Sequence, residues 1–346
     1  MSTNSPQSFS PSGATPIPPQ PYRAWTWTEG SEPSALTLRP TMHRPLRAGQ
    51  VLVRNAIVGL NPVDWKLLGD AASGWSAGRV PGVDGAGTVI AIGAGVAAAW
   101  LGQRVAYHQD LNLPGSFAEY TPLNVDVLMK LPERLDFATA ASFPCPGLTA
   151  WQALEKLPRR PGQRVLASGA GGAVGHYLVQ LAAARGFVVT VLCHPRHWER
   201  LRALGAADCV AGPQQTDDGW PTGLAGGFFA VIDSVGAEHA MRLAPLVRAN
   251  GHMVCILGRL EKWPSAAFGR SLSLHEVALN ALHLHGDRTD WAALTEAGQE
   301  MLQALADGAL QPEHHIVGKF LDLPQELDSL RKRQFSGKVL VQVGQD

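Results

Sequence analysis

The sequence predicts an α/β protein with two domains, a β-rich domain and a doubly wound parallel sheet covered by helices. The chain has 346 residues, which at roughly 100–200 residues per domain corresponds to about two domains. Short β-type runs bounded by Gly, Pro or Asn occupy residues 22–120. After residue 135 the pattern changes, and strands alternate with helices. A strand, a crossover helix and a second strand at this spacing indicate a parallel sheet.

Composition and charge exclude several classes of protein. Hydrophobic residues make up 45% of the chain and charged residues 17%, so disorder over most of its length is excluded. The 29 Lys and Arg residues balance the 29 Asp and Glu residues, and we therefore expect neither nucleic acid nor a membrane as a partner. Residues 165–184 carry no charge, but four glycines interrupt them, which favours a buried strand, turn and helix over a membrane span.

The cysteines and the N-terminus predict a cytoplasmic protein. The four cysteines lie far apart and include no C-x-x-C pair, which favours reduced thiols over disulfides or a zinc knuckle. Residues 1–20 are mostly Ser, Pro, Gln and Thr, without the basic residues and apolar run of a signal peptide. We expect them to form a disordered tail, because nothing in them offsets the entropy of ordering.

The predicted elements follow the hydrophobic pattern. Candidate strands of the β-rich part are residues 50–58, 88–92, 104–107 and 116–120, and residues 338–343 form a β run that we expect to return to this domain. Helices are predicted at 137–141 and 147–154. Then follow a strand at 164–168, a helix at 174–185, a strand at 188–193, a helix at 197–204, and strands at 229–233 and 253–258. The helix at 174–185 carries apolar residues on one face, as a helix packed on a sheet requires.

The strongest chemical signal is the segment VLASGAGGAVG at residues 165–175. Gly169, Gly172 and Gly175 permit a sharp turn after the strand, close approach of the backbone to a pyrophosphate and tight packing of the helix on the sheet. The N–H groups at the start of that helix, at Ala173 and Val174, favour an anion together with the helix dipole. Because the segment follows a predicted strand and opens an amphipathic helix, we interpret it as a dinucleotide-binding loop rather than a plain turn.

The end of the second strand of this unit predicts NADP(H) as the cofactor. Sites selective for NAD place an Asp or Glu there, whereas this sequence has His194, Arg196 and His197 and no acid. Cationic side chains pair with a 2′-phosphate that a carboxylate would repel. Arg200 is a further candidate for this contact. In the alternative interpretation, Arg196 and Arg200 form a solvated helix face.

Six further motifs occur in order along the chain: NPVDWK at 61–66, PGVDGAG at 81–87, GSFAEY at 115–120, LTA at 148–150, LGA at 204–206 and GKV at 337–339. With the glycine loop, this ordered set resembles the medium-chain dehydrogenase/reductase superfamily, in its zinc-free quinone oxidoreductase and enoyl reductase branch. The resemblance implies a GroES-like catalytic domain at residues 21–145 and 285–346, and an inserted Rossmann domain at 146–284. It also implies a nicotinamide site in the cleft between the domains and a homodimer joined through the Rossmann domains.

The same resemblance predicts that the protein holds no metal. Zinc members of the superfamily carry a Cys at the position of Asn61, a His at Val83 and a second Cys at Cys145. A catalytic zinc needs three protein ligands and an open position, and only Cys145 remains here. We interpret Cys145 as a small buried residue.

The catalytic candidates are Asn61, Lys66 and Asp64. Reduction of an enone or a quinone spreads negative charge over a conjugated system, so a few hydrogen-bond donors suffice in place of a metal. By resemblance, Lys66 stands where zinc members carry a proton-relay histidine and many quinone reductases a tyrosine, within reach of the nicotinamide ribose. In the alternative interpretation, Lys66 is a surface lysine and Asp64 a turn carboxylate.

The resemblance implies further cofactor contacts at Thr149, Val235, Gly258 and Arg333. Val235 and Gly258 follow the fourth and fifth Rossmann strands, where they would also serve ordinary packing and turn roles. Ala211 departs from the family, because related enzymes often carry a tyrosine at that position.

These observations predict an NADPH-dependent, zinc-independent reductase of a small-molecule quinone or α,β-unsaturated carbonyl compound. Two alternatives stay open. One is a zinc-free alcohol dehydrogenase that acts on a simple carbonyl, and the other is an NADPH-binding protein with little turnover.

Overall fold

The computed structural model describes residues 15–18, 20–70, 73–212, 224–334 and 337–344. Its strands, in chain order, are β1 (Tyr22–Thr26), β2 (Thr37–Thr41), β3 (Gln50–Leu60), β4 (Asp84–Ile92), β5 (Arg104–His108), β6 (Tyr120–Asn124), β7 (Leu128–Lys130), β8 (Arg164–Ser168), β9 (Val188–Cys193), β10 (Ala206–Ala211), β11 (Phe228–Asp233), β12 (Val247–Cys255), β13 (Ser273–Glu276), β14 (His315–Lys319) and β15 (Lys338–Gln342).

The α-helices connect these strands and pack on the sheets. They are α1 (Pro62–Lys66), α2 (Phe137–Ser142), α3 (Pro144–Glu155), α4 (Ala173–Ala184), α5 (Trp198–Ala203), α6 (Ala237–Leu243), α7 (Leu279–His285), α8 (Arg288–Ala306) and α9 (Leu323–Arg331).

The first domain is built on a sheet with the strand order β14-β15-β3-β4-β5-β7, with β6 beside β3. Neighbouring strands are antiparallel except β14 and β15, which are parallel. The C-terminal strand β15 pairs with β3, so the end of the chain returns to the first domain as the sequence predicts. This β-rich domain matches the predicted fold class.

The second domain is built on a parallel sheet with the order β10-β9-β8-β11-β12-β13. This is the doubly wound order of dinucleotide-binding folds, in which ligands bind outside the carboxyl ends of the strands where the order reverses. The reversal lies beside β8, and the glycine loop leaves the sheet there. The predicted Rossmann domain is confirmed.

Both sheets contribute to one hydrophobic cluster. Tyr107 of β5, Leu148 of α3 and Tyr177 of α4 are buried in it, as is Met301 of α8. Phe143 packs edge-on against Tyr177 with ring centroids 5.6 Å apart. Because close-packed interiors resist deformation, this shared core fixes the two sheets relative to each other.

Several predicted boundaries differ from the structure. Strands β8 and β9 begin and end where the sequence predicts, whereas the strand predicted at 116–120 is β6, Tyr120–Asn124. Residues 116 and 118 instead accept hydrogen bonds from the Asn55 side chain through their carbonyls. β10 is not among the predicted elements, and most of its side chains are at least partly exposed.

The predicted domain boundaries stay predictions, although the six strands of the parallel sheet, β8 to β13, all lie within 146–284. Of the predicted tail, residues 1–14 and 19 lie outside the described residues. In the described part of the tail, the Thr15 N–H donates to the Ile92 carbonyl at 3.0 Å, and the Ile92 N–H donates to Thr15 Oγ1 at 2.8 Å. Thr15 is therefore tied to the end of β4.

Candidate active site

The glycine loop leaves β8 after Ser168 and enters α4 at Ala173. Gly169 has a φ of +65°, in the left-handed region that favours glycine. A Cβ on Gly175 would lie 2.3 Å from the Ala170 carbonyl oxygen, so glycine is required there for α4 to pack on the loop. A Cβ on Gly172 would meet nothing closer than the Gly169 carbonyl oxygen at 4.0 Å. Internal packing therefore does not explain Gly172, whereas close approach of a ligand does.

The first turn of α4 presents unpaired donors. The N–H groups of Ala173, Val174 and Gly175 have no acceptor in the part of the chain that the structure describes. The residue before them, Gly172, has no side chain to cap the helix. Because these N–H groups lie at the positive end of a 12-residue helix, they favour an anion. The loop thus fits the pyrophosphate of a dinucleotide.

The residues after β9 form a basic rim beside the loop. His197 packs on the loop, since a Cβ on Gly171 would lie 2.4 Å from its Cδ2. Arg196 is exposed and donates from Nε to His197 Nε2 at 3.0 Å, and its N–H donates to His194 Nδ1 at 3.2 Å. Partial burial and the charges of Arg196 and Arg200 lower the pKa of His197. The rim fits a phosphate at this place, and its individual contacts stay predictions.

The guanidinium group of Arg200 is held by contacts within the protein. Its Nη2 donates to the Gly171 carbonyl at 2.9 Å, and its Nη1 donates to Glu313 Oε2 at 3.0 Å. Glu313 is 2% exposed. Burial raises the pKa of Glu313, but hydrogen bonds and charges from His176 and Arg200 outweigh it and leave this pKa below its usual value. Arg200 thus links the glycine loop to the segment before β14. Neither of the two interpretations from the sequence predicts this contact.

Val235 and Gly258 lie at the same sheet edge as the glycine loop. A Cβ on Gly169 would lie 3.2 Å from Val235 Cγ2, so the loops after β8 and β11 are in contact. Gly258 follows β12 with a φ of +74° and lies against Ala237. Asp233, at the end of β11, accepts the Val235 N–H at 3.0 Å and thereby holds that loop. The structure therefore brings Val235 into contact with the loop and places Gly258 after the neighbouring strand β12, against Ala237.

A buried polar network surrounds the start of α1. Asn61 Nδ2 donates to Asp84 Oδ2 at 2.9 Å, and Lys338 Nζ donates to Asn61 Oδ1 and to Asp84 Oδ2, the latter at 3.2 Å. The Cys145 N–H donates to both oxygens of Asp84 at 3.0 and 3.1 Å. Asn61 and Lys338 are 3% exposed and Asp84 is fully buried. A Cβ on Gly59 would lie 2.5 Å from the Ala141 carbonyl oxygen, 3.2 Å from Asp84 Cβ and 3.3 Å from Lys338 Cε, so glycine permits the close packing beside this network.

This network uses the side chains of the predicted catalytic residues Asn61 and Asp64. The second N–H of the Asn61 amide donates to the Gly59 carbonyl at 3.3 Å, so Asn61 positions the network and has no free donor. Asp64 accepts the Asn61 N–H at 2.7 Å, and its Oδ1 is buried without a partner in the described residues. Burial raises the pKa of Asp64 to about 8, so its carboxyl is protonated at neutral pH. Direct contact of either residue with a substrate stays a prediction.

The three positions that correspond by resemblance to zinc ligands lie next to one another. Asn61 and Cys145 both contact Asp84, and Val83 precedes it in the chain. Burial raises the pKa of the Cys145 thiol, so the thiolate that zinc requires is disfavoured. Within the described ranges, no group of three or more His, Cys, Asp or Glu side chains could hold a metal ion. These residues do not fit zinc, and its absence stays a prediction.

Lys66 and Arg333 place two positive charges near each other. Both residues are exposed, and Arg333 has a φ of +54°. Partial burial and the charge of Arg333 lower the pKa of Lys66. Neither side chain forms a salt bridge with any residue that the structure describes. Thr149, on α3, is 8% exposed and lies one helical turn after Cys145. An anionic group between Lys66 and Arg333 would relieve their repulsion.

The sequence analysis names Asp84 and Lys338 only as members of motifs. A signal for a role was present, because each is a charged residue inside an otherwise apolar or glycine-rich β run, in PGVDGAG and GKV. Charged side chains in such runs are buried only when they are paired. What no pattern reveals is the partner, which lies 254 residues away.

Comparison with known proteins agrees with this geometry. Residues 47–133 match the family model for the alcohol dehydrogenase GroES-like domain. The chain is 31% identical over 252 residues to 2-methylene-furan-3-one reductase of Solanum lycopersicum, covering 69% of this chain and 63% of that protein. It is 26% identical over 362 residues to the enoyl reductase component of lovastatin nonaketide synthase of Aspergillus terreus, covering 94% and 97%. The crystal structure of a putative NADPH:quinone reductase from Bacillus thuringiensis matches with a TM-score of 0.80 at 23% identity, over 94% of this chain and 99% of that one.

The chain spans less than two thirds of the tomato reductase's length, and the structural match at 23% identity concerns the fold alone. Among the helices that the structure describes, none is both long and apolar enough to cross a membrane.

Proposed function

We propose that the chain is a member of the medium-chain dehydrogenase/reductase superfamily, and that it is an oxidoreductase that uses NADPH to reduce a quinone or an α,β-unsaturated carbonyl compound without a metal. The observation that carries this proposal is the buried cluster of Asn61, Asp84 and Lys338. Asn61 of this cluster stands at one of the three positions that correspond by resemblance to zinc ligands, while the dinucleotide loop keeps its form. The tomato and Aspergillus terreus relatives, which are named as reductases, support the same reaction type.

Bound NADPH would supply the hydride. The N–H groups at the start of α4, at Ala173, Val174 and Gly175, would hold its pyrophosphate, since they have no other acceptor in the described chain. Arg196 and His197 would pair with its 2′-phosphate. The nicotinamide end would then lie against the loops after β11 and β12, at Val235 and Gly258, and against Thr149.

Lys66 would stabilise the negative charge that develops on the acceptor or hold the nicotinamide ribose. Its nearest cationic neighbour, Arg333, adds positive potential at the same place. A quinone or an enone distributes the incoming charge over several atoms, so hydrogen bonds of this kind suffice. A saturated carbonyl concentrates that charge on one oxygen and benefits far more from a metal. This difference favours conjugated acceptors over the simple carbonyls of an alcohol dehydrogenase.

We propose that the protein is a homodimer joined through its Rossmann domains. β13 is the edge strand of the parallel sheet, with an unpaired side in the described structure. The segment that precedes it exposes large apolar side chains, Trp263 at 60% and Phe268 fully. Such side chains beside an open edge favour pairing with a second copy. The four cysteines are free, which is compatible with the cytoplasmic location that we propose.

The test is a steady-state assay that follows NADPH absorbance with a panel of quinones, enones and saturated ketones. We expect turnover with conjugated acceptors and little with saturated ketones. Turnover with saturated ketones alone would favour the alcohol dehydrogenase, and NADPH binding without turnover would favour a binding protein. Gly172→Ala is the matched variant, because the added methyl group has space within the protein. It should weaken NADPH binding while thermal stability stays unchanged.

A further inference from the structure

Two histidines form a pair across the domains. His108 ends β5 of the first domain, and its Nδ1 lies 3.3 Å from Nε2 of His283, on α7 of the second. The His283 ring packs on Trp291 with centroids 4.6 Å apart. Beside the pair, Asn280 Oδ1 accepts the Leu111 N–H at 3.0 Å. Both domains therefore fix the geometry of the pair.

His108 lies beside the buried network. It is directly opposite Asp84 in the antiparallel ladder of β4 and β5, and residues directly opposite have their side chains on the same face. Asp84 in turn contacts the Cys145 backbone, and Thr149 lies one turn further along α3. The positive charge of Lys338 also acts on the His108 ring. His108 thus adjoins the place where the nicotinamide end is proposed.

One nitrogen of His108 is available for a ligand. The residue is 6% exposed, its Nδ1 faces His283, and its Nε2 has no partner among the described residues. Burial lowers the pKa of His108 and that of His283 to about 3, and the charge of Lys338 acts in the same direction on His108. Both rings are therefore neutral at pH 7. When His283 Nε2–H donates to His108 Nδ1, the proton of His108 is on Nε2.

We propose that His108 Nε2–H delivers the proton to the oxygen of the reduced acceptor, and that His283 is the positioning residue that resupplies it. The inference rests on the proposed function and names the proton donor for it. Lys66 then stabilises charge or holds the ribose and does not need to lose its proton.

The proton transfer balances without a charged histidine. Hydride addition leaves a negative charge on the conjugated oxygen of the acceptor. The His108 Nε2–H bond breaks and an O–H bond forms, while the electron pair stays on the ring. His108 Nδ1 then takes the proton from His283 Nε2. A solvent water supplies a proton to Nδ1 of the half-buried His283 and leaves as hydroxide. Each ring ends neutral in its other tautomer, and exchange with water restores the starting tautomers.

The test compares His108→Gln and His283→Gln in the full-length protein, since glutamine keeps a hydrogen-bond donor but cannot relay a proton. We expect kcat with an enone to fall by about 10²–10⁴-fold for His108→Gln, the range for one general acid, and by at least about tenfold for His283→Gln. The NADPH dissociation constant, measured by fluorescence titration, should change less than about twofold. Imidazole in the buffer should restore part of kcat to His108→Ala.

The control is His275→Gln. His275 also belongs to a histidine pair, with Nε2 at 3.0 Å from His252 Nδ1, but it lies within the parallel sheet. It should keep the wild-type kcat. Equal losses in His275→Gln and His283→Gln would overturn the proposal, as would a normal kcat for His108→Gln. If the wild-type protein reduces no conjugated acceptor, the proposed function itself fails. If the wild-type protein reduces a conjugated acceptor and His108→Gln has a normal kcat, only the proposed proton route is refuted.

Discussion

The buried ion pair between Lys338 and Asp84 predicts a large loss of stability when one of its partners is removed. Replacing Lys338 with Met keeps most of the side-chain volume and removes the charge. Lys338 Nζ lies 3.2 Å from Asp84 Oδ2, and the two side chains are 4% and 0% exposed. At an effective dielectric constant of about 20, the Coulomb energy at this distance is about 5 kcal/mol. Breaking a buried pair typically costs about 3–5 kcal/mol, because the remaining charge stays buried.

We therefore expect Lys338→Met to lower the free energy of unfolding by about 3–5 kcal/mol. The measurement is urea-induced unfolding followed by circular dichroism and by tryptophan fluorescence. Arg259→Met is the matched control, since Arg259 Nε lies 3.0 Å from Glu261 Oε1 but the side chains are 62% and 74% exposed. Solvent screens that pair, so its loss should leave the midpoint nearly unchanged.

A double-mutant cycle separates the charge effect from packing. Asp84→Asn combined with Lys338→Met leaves no unpaired ion, so the double variant should be more stable than the sum of the two single losses implies. Strict additivity would refute the argument, because it would show that the two charges do not interact. A loss in Lys338→Met no larger than that in Arg259→Met would refute it equally.

Four further outcomes follow from the site. Arg196→Ala should raise the NADPH dissociation constant about tenfold to a hundredfold and leave that of NADH nearly unchanged, because only NADPH carries the 2′-phosphate; equal losses would contradict this. Lys66→Met should lower kcat by about 10²–10³ if Lys66 stabilises the developing charge, whereas an effect on NADPH binding alone would make it a ribose contact. Asp64 is protonated in the folded protein, where its pKa is about 8, compared with the ordinary aspartate value of 3.8. Its contribution to stability is therefore complete below about pH 4 and is lost as the pH rises through about 8. In unfolding experiments, the stability of Asp64→Asn relative to wild type should therefore increase as the pH rises between these two values. Parallel curves of unfolding free energy against pH for the two proteins would contradict the raised pKa. Metal analysis of the purified protein should find no stoichiometric zinc, and one tightly held zinc per chain would overturn the metal-free mechanism.

The sequence by itself predicted the parallel sheet and the glycine loop, and it carries the signal from which NADP(H) is proposed. These features depend on neighbours in the chain: the strand at 164–168, the glycines at 169, 172 and 175, and the residues after the strand at 188–193. Local spacing carries such information, because the turn, the helix dipole and the buried helix face are all properties of short segments. The parallel strands β8 and β9 were accordingly predicted with their observed ends.

Only the tertiary structure decided which polar groups meet. Lys338 reaches Asn61 across 277 residues of chain, Arg200 reaches Glu313 across 113, and His108 reaches His283 across 175. The sequence shows each of these side chains but not its partner, because burial and pairing depend on how two separate sheets pack together. That packing directs the Asn61 amide into the protein, binds Arg200 to the glycine loop, and leaves one nitrogen of His108 without a partner among the described residues.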